Sequence, residues 1–260
     1  MGDHRGGTRL GLLAGLAAGC CVACGGADAG RGGGGSGGQG GEPAEVVVGG
    51  AGGAAGEGAA GGEGGAPAFD DGPLICDGPG ALFATHVLAV DYGPGQDHGR
   101  DFMPDIALGA PLGGGCCQGS LDVVSLGNGG SIVLAFAGNG IADGPGVDFV
   151  VFENPFEVAG GAIYAELAEV AVSEDGETWH SFPCDATEPP WGACAGHHPV
   201  YLEGGEGPVD PEADGGDGYD LADLGLSQAR YLRITDREDL TGDRGVFDLD
   251  AVGIVHPVCP

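Results

Sequence analysis

Short apolar runs separated by glycine, proline, asparagine and aspartate make up the chain from about residue 73 to its end. The runs have the length and the β-branched content of strands, and the breaks between them have the composition of turns. Only Asp220 to Ala229 has the spacing of a short helical turn, with Leu221 and Leu224 three residues apart. The candidate strands are 82–91, 121–126, 131–137, 147–153, 164–173, 178–182, 199–202, 230–235 and 246–255. We therefore expect an all-β domain, a β-sandwich or jelly roll.

The residues before this domain have a different composition. Much of the glycine in the chain, which has 60 glycines in total, is concentrated before residue 70, together with alanine and scattered glutamate. Such a tract buries too little apolar surface to fold and behaves as a disordered tether. The sequence thus predicts a signal peptide over 1–19, a flexible linker over 20–72 and a single domain over 73–260.

The N-terminus has the pattern of an export signal. Arg5 and Arg9 precede a short apolar stretch, 10–19, that ends in small residues. The stretch 16–20, Leu-Ala-Ala-Gly-Cys, resembles a bacterial lipobox and predicts lipidation at Cys20, although ordinary cleavage, or cleavage at another nearby cysteine, is the alternative. No apolar run is as long as a membrane span, so we expect membrane attachment through the lipid, at the outer membrane or cell surface.

The charge of the chain restricts its partners. The net charge is −31, with 39 acidic residues against 8 basic ones, all of which are arginine. An electrostatic field of this sign repels nucleic acid and favours cations, although acidity also keeps exported proteins soluble. The sequence therefore excludes nucleic acid as a partner, and the absence of lysine excludes a P-loop and a Schiff-base enzyme.

The cysteines of the domain predict disulfides, because their number is even and the protein is expected to be exported. Cys184 and Cys194 enclose a proline-rich loop and are the best local pair, and Cys76 with Cys259 would tie the two ends of the domain together. The remaining residues, Cys116 and Cys117, are adjacent and can pair with each other only as a vicinal bridge. A zinc site of Cys184 and Cys194 with His197 and His198 is less favoured, since a disulfide accounts for the cysteines.

The segment 246–255 reads as one strand with two acidic residues on one face. Alternation separates two sets of side chains, with Phe247, Leu249 and Ala251 on one face and Asp248, Asp250, Val252 and Ile254 on the other. Two carboxylates at the edge of a core are costly unless something neutralises them. Ca²⁺, which prefers oxygen ligands, would do so.

The loop before this strand supplies further acids. We expect a structural Ca²⁺ bound by carboxylates of this loop and strand, namely Asp236, Asp239, Asp243, Asp248 and Asp250. The alternative is that Arg233 or Arg244 pairs with one aspartate while loop amides bind the other.

Other acidic stretches are weaker candidates. Glu153 and Asn154, at the exit of the strand 147–153, are ligand or cap candidates, or else a solvated strand end. The acidic, glycine-rich loop 210–220 resembles a calcium loop but lacks the spacing of an EF-hand. Asp220 would instead cap the helical turn that follows it.

Two stretches resemble the galactose-binding-like jelly roll of discoidin-type and carbohydrate-binding modules. Residues 170–179 (VAVSEDGETW) match its V-x-x-S-x-D-G-x-x-W hairpin, and residues 229–234 (ARYLRI) match its A-R-Y-[LIV]-R-I strand. In related modules a terminal F-N-I-D-x-[IV] strand supplies an aspartate to a structural Ca²⁺. The resemblance puts Asp250 in that ligand position, with Asp248 in place of the asparagine.

The domain also resembles a group of bacterial cell-surface lipoproteins. The matching stretches are 107–111 (ALGAP), 125–132 (SLGNGGSI), 143–154 (DGPGVDFVVFEN) and 247–252 (FDLDAV). The resemblance implies a surface-exposed domain, and it leaves the ligand open because this fold has many functions.

We expect a binding function and no enzymatic activity. No serine of the domain stands in a nucleophile motif, and acids are too numerous for a catalytic pair to be recognised. Trp191 in the proline-rich loop and Tyr201 are the candidate ligand-binding aromatics, for a glycan or another cell-surface ligand. The alternatives are a secreted hydrolase that uses paired acids and a purely structural envelope protein.

Overall fold

The computed structural model describes Leu74 and residues 80–115, 119–187, 189–205, 207–237 and 245–260. All of them fall within one unit of the chain, Gly58–Pro260. The predicted signal peptide and linker, with Cys20, lie outside the described residues. So do Cys76, Cys116, Cys117, Asp239, Asp243 and Arg244.

The largest sheet has five antiparallel strands. Its order is β1-β3-β12-β8-β9. The strands are β1 (His86–Asp91), β3 (Ser131–Ala135), β8 (Ala168–Ser173), β9 (His180–Ser181) and β12 (Tyr231–Asp236). The central strands β3, β8 and β12 come from predicted runs rich in aliphatic residues, which favour strand pairing.

A second antiparallel sheet has three strands, in the order β10-β5-β14. Its strands are β5 (Phe149–Phe152), β10 (Asp217–Tyr219) and β14 (Ala251–Ile254). Three two-stranded ladders complete the described strands: β2 (Val124–Ser125) with β13 (Asp248–Leu249), β4 (Ile141–Ala142) with β11 (Gln228–Ala229), and β6 (Phe156–Val158) with β7 (Ala162–Tyr164). The fold is therefore all-β, as predicted.

The main hydrophobic core contains residues from both larger sheets. Leu134, Val172 and Leu232 come from the five-stranded sheet, and Val151 and Ile254 from the three-stranded one, and all five are buried. Burial of apolar area is the main favourable term in folding, so the two sheets stabilise each other through this cluster.

Helices are short throughout the described residues. They comprise one α-helical turn, α1 (Pro211–Asp214), and the 3₁₀ turns Arg100–Phe102, Asp105–Ala107 and Leu221–Leu224. The predicted cap is confirmed, because the Asp220 side chain accepts a hydrogen bond of 2.8 Å from the amide of Ala222. Within this part of the chain no helix has the length and apolarity needed to cross a bilayer.

The hairpin that the resemblance implies for 170–179 is present, with residues 174–177 in the turn region between β8 and β9. The Asp175 carboxylate organises its turn by accepting hydrogen bonds from the amides of Glu177 (2.8 Å) and Thr178 (2.7 Å). These bonds lower the pKa of Asp175 to about 2. In contrast, the predicted strand 199–202 contributes only an isolated bridge between Val200 and Gly215.

The last predicted strand, 246–255, is interrupted at Asp250. β13 pairs with β2, whereas β14 pairs with β5 in a different sheet. Leu249 and Val252 therefore pack in the same core cluster, while Ala251 packs in a second one with Phe152. The prediction that Asp248, Asp250, Val252 and Ile254 share one face is wrong, because the change of sheet at Asp250 shifts the alternation by one residue.

Candidate functional site

Glu153 lies at the end of β5 and is almost completely buried, with 1 % of its surface exposed. Four buried apolar residues precede it, and the strand carries its side chain inward with them. Within the described residues neither carboxylate oxygen makes a hydrogen bond of normal geometry, although the amide of Asn154 lies close enough to lower the pKa of Glu153. A buried carboxyl group without partners costs several kcal/mol unless it is protonated or bound to a cation.

Three further carboxylates act on the pKa of Glu153, namely those of Glu166, Asp248 and, with the smallest effect, Asp217. Burial raises the pKa of Glu153 well above its usual value, and the charges of Glu166 and Asp248 raise it further. Glu166 precedes β8, and Asp248 begins β13, so the acids whose charges act on Glu153 come from separate elements. We call Glu153, Glu166 and Asp248 the acidic triad.

The other two members of the acidic triad also favour the protonated form. Burial, followed by the charges of Asp248 and Asp236, raises the pKa of Glu166 to about 8. Burial also raises the pKa of Asp248 to about 6, with the charge of Asp97 adding to the effect. At neutral pH Glu153 and Glu166 of the acidic triad are therefore largely protonated, and a divalent cation would bind by replacing these protons and stabilising the ionised carboxylates.

Glu166 and Asp248 line an open cleft of about 390 Å³ that is rich in oxygen atoms. Its lining consists of Gly95, Asp97, Ser125, Asn128, Glu166, Gly245, Val246 and Asp248. The Oδ1 atom of Asp248 and the Oγ atom of Ser125 are both buried, and in the described part of the chain neither makes a hydrogen bond of normal geometry, although the Ser125 hydroxyl lies close enough to Asp248 to lower the pKa of that carboxyl. Carboxylate and hydroxyl oxygens are suitable ligands for Ca²⁺.

Gly245 closes one side of this cleft. Its φ is +63°, and a Cβ atom at this position would overlap Oε1 of Glu166. The amide of the next residue, Val246, donates a hydrogen bond to Glu166 and so holds the carboxylate in place. Glycine is needed here for both its backbone conformation and its small size.

The other predicted metal ligands within the described residues have different roles. Asp236 accepts hydrogen bonds from the amides of Phe247 (2.7 Å) and Gly129 (3.0 Å). Asp250 accepts from the amide of Leu112, at 3.1 and 3.2 Å for its two oxygens. Burial raises the pKa of Asp250 to about 7, and the charge of Asp122 acts in the same direction. Of the three predicted ligands that the structure describes, Asp236, Asp248 and Asp250, only Asp248 lines the cleft, and Asp236 acts on Glu166 and Asp248 through its charge.

Arg233 was the predicted alternative partner for these aspartates. Its guanidinium group lies over the ring of Trp179, 4.6 Å from the centroid. This cation–π contact joins the two motifs, 170–179 and 229–234, on which the resemblance to galactose-binding-like modules rests.

The predicted ligand-binding aromatics lie in different surroundings. Trp191 is partly buried against a small cluster that includes Leu167 and Cys194. Tyr201 is 48 % exposed and remains a surface aromatic. The Cys184–Cys194 disulfide that closes the Trp191 loop is present, as predicted. Cys259 is also disulfide-bonded.

Glu166 was not predicted as a metal ligand, and Glu153 was only a weaker candidate, as a ligand or a cap. The signal for Glu153 was an acid that directly follows four apolar residues, but a solvated strand end has the same pattern. Glu166 has no comparable local signal, because its proximity to Asp248 depends on the pairing of distant segments.

The described residues contain two tighter groups of potential metal ligands. One is His197, His198 and Asp217, and the other is Asp143, Asp148 and Asp220. In the second group, Asp148 accepts hydrogen bonds from the amides of Gly144 (2.8 Å) and Leu221 (2.7 Å), and Asp220 caps a helical turn. Backbone contacts thus account for two of its three acids.

Comparison with known proteins adds no relative. No protein-family model matches the chain, and no curated protein matches it with significance.

Proposed function

We propose that this chain is an exported, lipid-anchored cell-surface protein whose domain, residues 73–260, is a calcium-stabilised jelly roll with a non-enzymatic binding function. The observation on which the calcium site rests is Glu153, a buried carboxyl group without normal hydrogen bonds that faces the charges of Glu166 and Asp248. The acidic triad takes the place of the aspartate set expected from the sequence, with Asp248 common to both.

The choice of Ca²⁺ follows from the ligand atoms. The acidic triad and the neighbouring Asp97 and Ser125 offer oxygen and no nitrogen or sulfur. Hard cations prefer such sites, and Ca²⁺ tolerates irregular geometry and a high ligand number better than Mg²⁺ does. An ion bound to the acidic triad would connect β5, β13 and the segment before β8, which belong to three different ladders.

The jelly-roll part of the proposal rests on the packing of the two larger sheets around one core and on the two resembling motifs. Trp179, which directly precedes β9, contacts Arg233 of β12, and this contact is consistent with motifs that belong to one structural unit. The proposed anchor rests on Cys20 and the residues before it. Metabolic labelling with a fatty acid, compared between wild type and Cys20→Ala, tests the anchor separately.

Thermal unfolding with excess Ca²⁺ and with EGTA tests the calcium site. We expect Ca²⁺ to raise the melting temperature of the wild-type protein and to have little effect on Glu153→Gln. Glu177→Gln is the matched control, since Glu177 is exposed in the hairpin turn. Equal melting temperatures in Ca²⁺ and EGTA for the wild type would remove the calcium site from the proposal.

For the binding function we propose a surface that includes Tyr201 and Leu112, which are 48 % and 49 % exposed. The two residues lie on neighbouring segments, since Leu112 bridges to Glu203 and the amide of Gly113 donates to the carbonyl of Leu202. A glycan array probed with wild type and with Tyr201→Ala tests a sugar ligand. Binding that Tyr201→Ala retains at full strength would place the ligand elsewhere.

A hydrolase is the second candidate, because Glu166 and Asp248 line one cleft and have different raised pKa values. Such a pair is the arrangement that general acid catalysis requires. Turnover of model glycosides that Glu166→Gln abolishes, in EGTA as well as in Ca²⁺, would favour the hydrolase over the binding protein.

A further inference from the structure

His197, His198 and Asp217 form a compact cluster outside the acidic triad. Their potential ligand atoms all lie within 4.8 Å of one another. The Nδ1 atom of His198 is 2.7 Å from Oδ1 of Asp217, and the Nδ1 atom of His197 is 2.9 Å from the same oxygen. Two imidazoles and one carboxylate thus converge on one point.

The two contacts with Asp217 differ in kind. The contact of His198 has the geometry of a hydrogen bond. The Nδ1 atom of His197 is buried, and within the described residues it has no hydrogen-bond partner of acceptable geometry, although it lies this close to Oδ1. A proton shared between Asp217 and one histidine therefore accounts for the short contact of His198 with Oδ1. It does not account for the short contact of His197 with the same oxygen. An ion between the three atoms would explain both.

The backbone holds the cluster in place from two sides. Asp217 begins β10 and is paired with Val151 of β5, and only 3 % of its surface is exposed. The histidines follow Ala195, which exchanges two backbone hydrogen bonds with Ala168 of β8. The Cys184–Cys194 disulfide lies just before Ala195.

The second carboxylate oxygen of Asp217 holds the carboxylate group in position. Its Oδ2 atom accepts hydrogen bonds from the amides of Gly196 (2.7 Å) and His197 (3.2 Å), which fixes the carboxylate with Oδ1 towards the imidazoles. Such supporting contacts are typical of metal ligands. The edge of Trp191 packs against the His197 ring at 5.6 Å between centroids, which orients that ring as well.

We propose that His197, His198 and Asp217 bind a divalent transition-metal ion such as Zn²⁺. Imidazole nitrogen with a carboxylate oxygen is a donor set that suits such ions and that Ca²⁺ disfavours. Ligand atoms around tetrahedral zinc are about 3.4 Å apart, so the two short contacts need to lengthen by less than about 1 Å. The side chain of His198 is 61 % exposed, so the ion is reached from solvent and water completes its coordination.

Metal binding by the purified, oxidised full-length chain tests the proposal. Isothermal titration with Zn²⁺ is compared between wild type, His198→Ala and His180→Ala, since His180 is an exposed histidine away from the cluster. We expect His198→Ala to weaken binding by at least about 100-fold, because even the loss of a supporting contact costs about 10–100-fold. His180→Ala should bind as the wild type does. Equal binding by wild type and His198→Ala overturns the proposal.

A Co²⁺ titration identifies the ligand atoms. Nitrogen and oxygen ligands give d–d absorption in the visible range, whereas cysteine thiolates add charge-transfer bands in the near ultraviolet. We expect the d–d bands without the thiolate bands, and we expect Asp217→Asn to lose them while Glu153→Gln keeps them. Thiolate bands that persist in His198→Ala would assign the metal to the cysteines and contradict the proposal. Circular dichroism of each variant shows whether it is folded.

Discussion

The carboxylate of Asp148 lies 2.8 Å from Nδ1 of His256, although the two residues are 108 positions apart in the chain. Asp148 is fully buried at the start of β5, and His256 follows β14. With the amide hydrogen bonds from Gly144 and Leu221, one side chain joins three distant segments.

Replacing Asp148 should therefore destabilise the domain strongly. Asp148→Ala leaves the amides of Gly144 and Leu221 without their acceptor, and we expect it to lower the free energy of unfolding by about 2–5 kcal/mol. Asp143→Ala, at an exposed neighbour, should change it by less than about 0.5 kcal/mol. Urea denaturation measures both, and a small effect of Asp148→Ala would contradict the assigned role.

The acidic triad predicts that stability falls as pH rises when no metal is present. Folding raises the pKa of Glu166 from 4.5 to about 8 and that of Asp248 from 3.8 to about 6. For an acid with a raised pKa in the folded state, the stabilising contribution is complete below the unfolded pKa and is lost as pH rises through the folded one. In EGTA the melting temperature should therefore fall between about pH 4 and pH 8.

Glu166→Gln is the comparison variant for this pH dependence. It removes the group whose pKa differs more between the unfolded and folded states, from 4.5 to about 8. The decline should be smaller in this variant, and added Ca²⁺ should stabilise the wild type more at pH 8 than at pH 5. Parallel melting curves for wild type and Glu166→Gln across the pH range would speak against a raised pKa at Glu166.

Gly245→Ala should impair the cleft. The new Cβ would overlap the Glu166 carboxylate, in addition to the strain of a φ of +63°. Gly138→Ala is a matched control, because Gly138 has a φ of +61° and open space around it. We expect Gly138→Ala to cost about 1 kcal/mol and Gly245→Ala clearly more, with a reduced shift in melting temperature on adding Ca²⁺. Identical behaviour of the two variants would mean that the contact with Glu166 has no energetic effect.

Removing the Cys184–Cys194 disulfide should destabilise the domain by about 2–4 kcal/mol, because the cross-link restricts the unfolded chain. The double variant Cys184→Ser, Cys194→Ser allows the measurement without reducing Cys259, which is also disulfide-bonded. Urea denaturation of the variant under oxidising conditions gives the difference. A urea denaturation midpoint equal to that of the wild type would contradict this prediction.

Local patterns in the sequence predicted the local parts of the structure. The strong aliphatic runs became β3, β8 and β12, the hairpin at 174–177 formed, and Asp220 caps its helical turn. In each case neighbouring residues contain the determining information, as β propensity, turn chemistry or a capping side chain.

The candidate site could not be predicted in the same way. Asp236 and Asp250 have the composition of metal ligands, but distant backbone amides, those of Gly129 and Leu112, take up their oxygens. Glu153 has the pattern of a strand end, yet the surrounding sheets bury it. Long-range contacts decide which acid accepts hydrogen bonds from backbone amides and which is buried without them. No local sequence pattern contains this information.

The interruption at Asp250 also affects how the domain is completed during folding. Leu249 and Ala251 are two residues apart, yet one extends the ladder with β2 and the other the ladder with β5. The segment 246–255 thus contributes a strand to each of two sheets. Neither sheet has all its strands until this segment is in place. Both sheets can therefore close only after residues 246–255 have left the ribosome, which couples the completion of one sheet to that of the other.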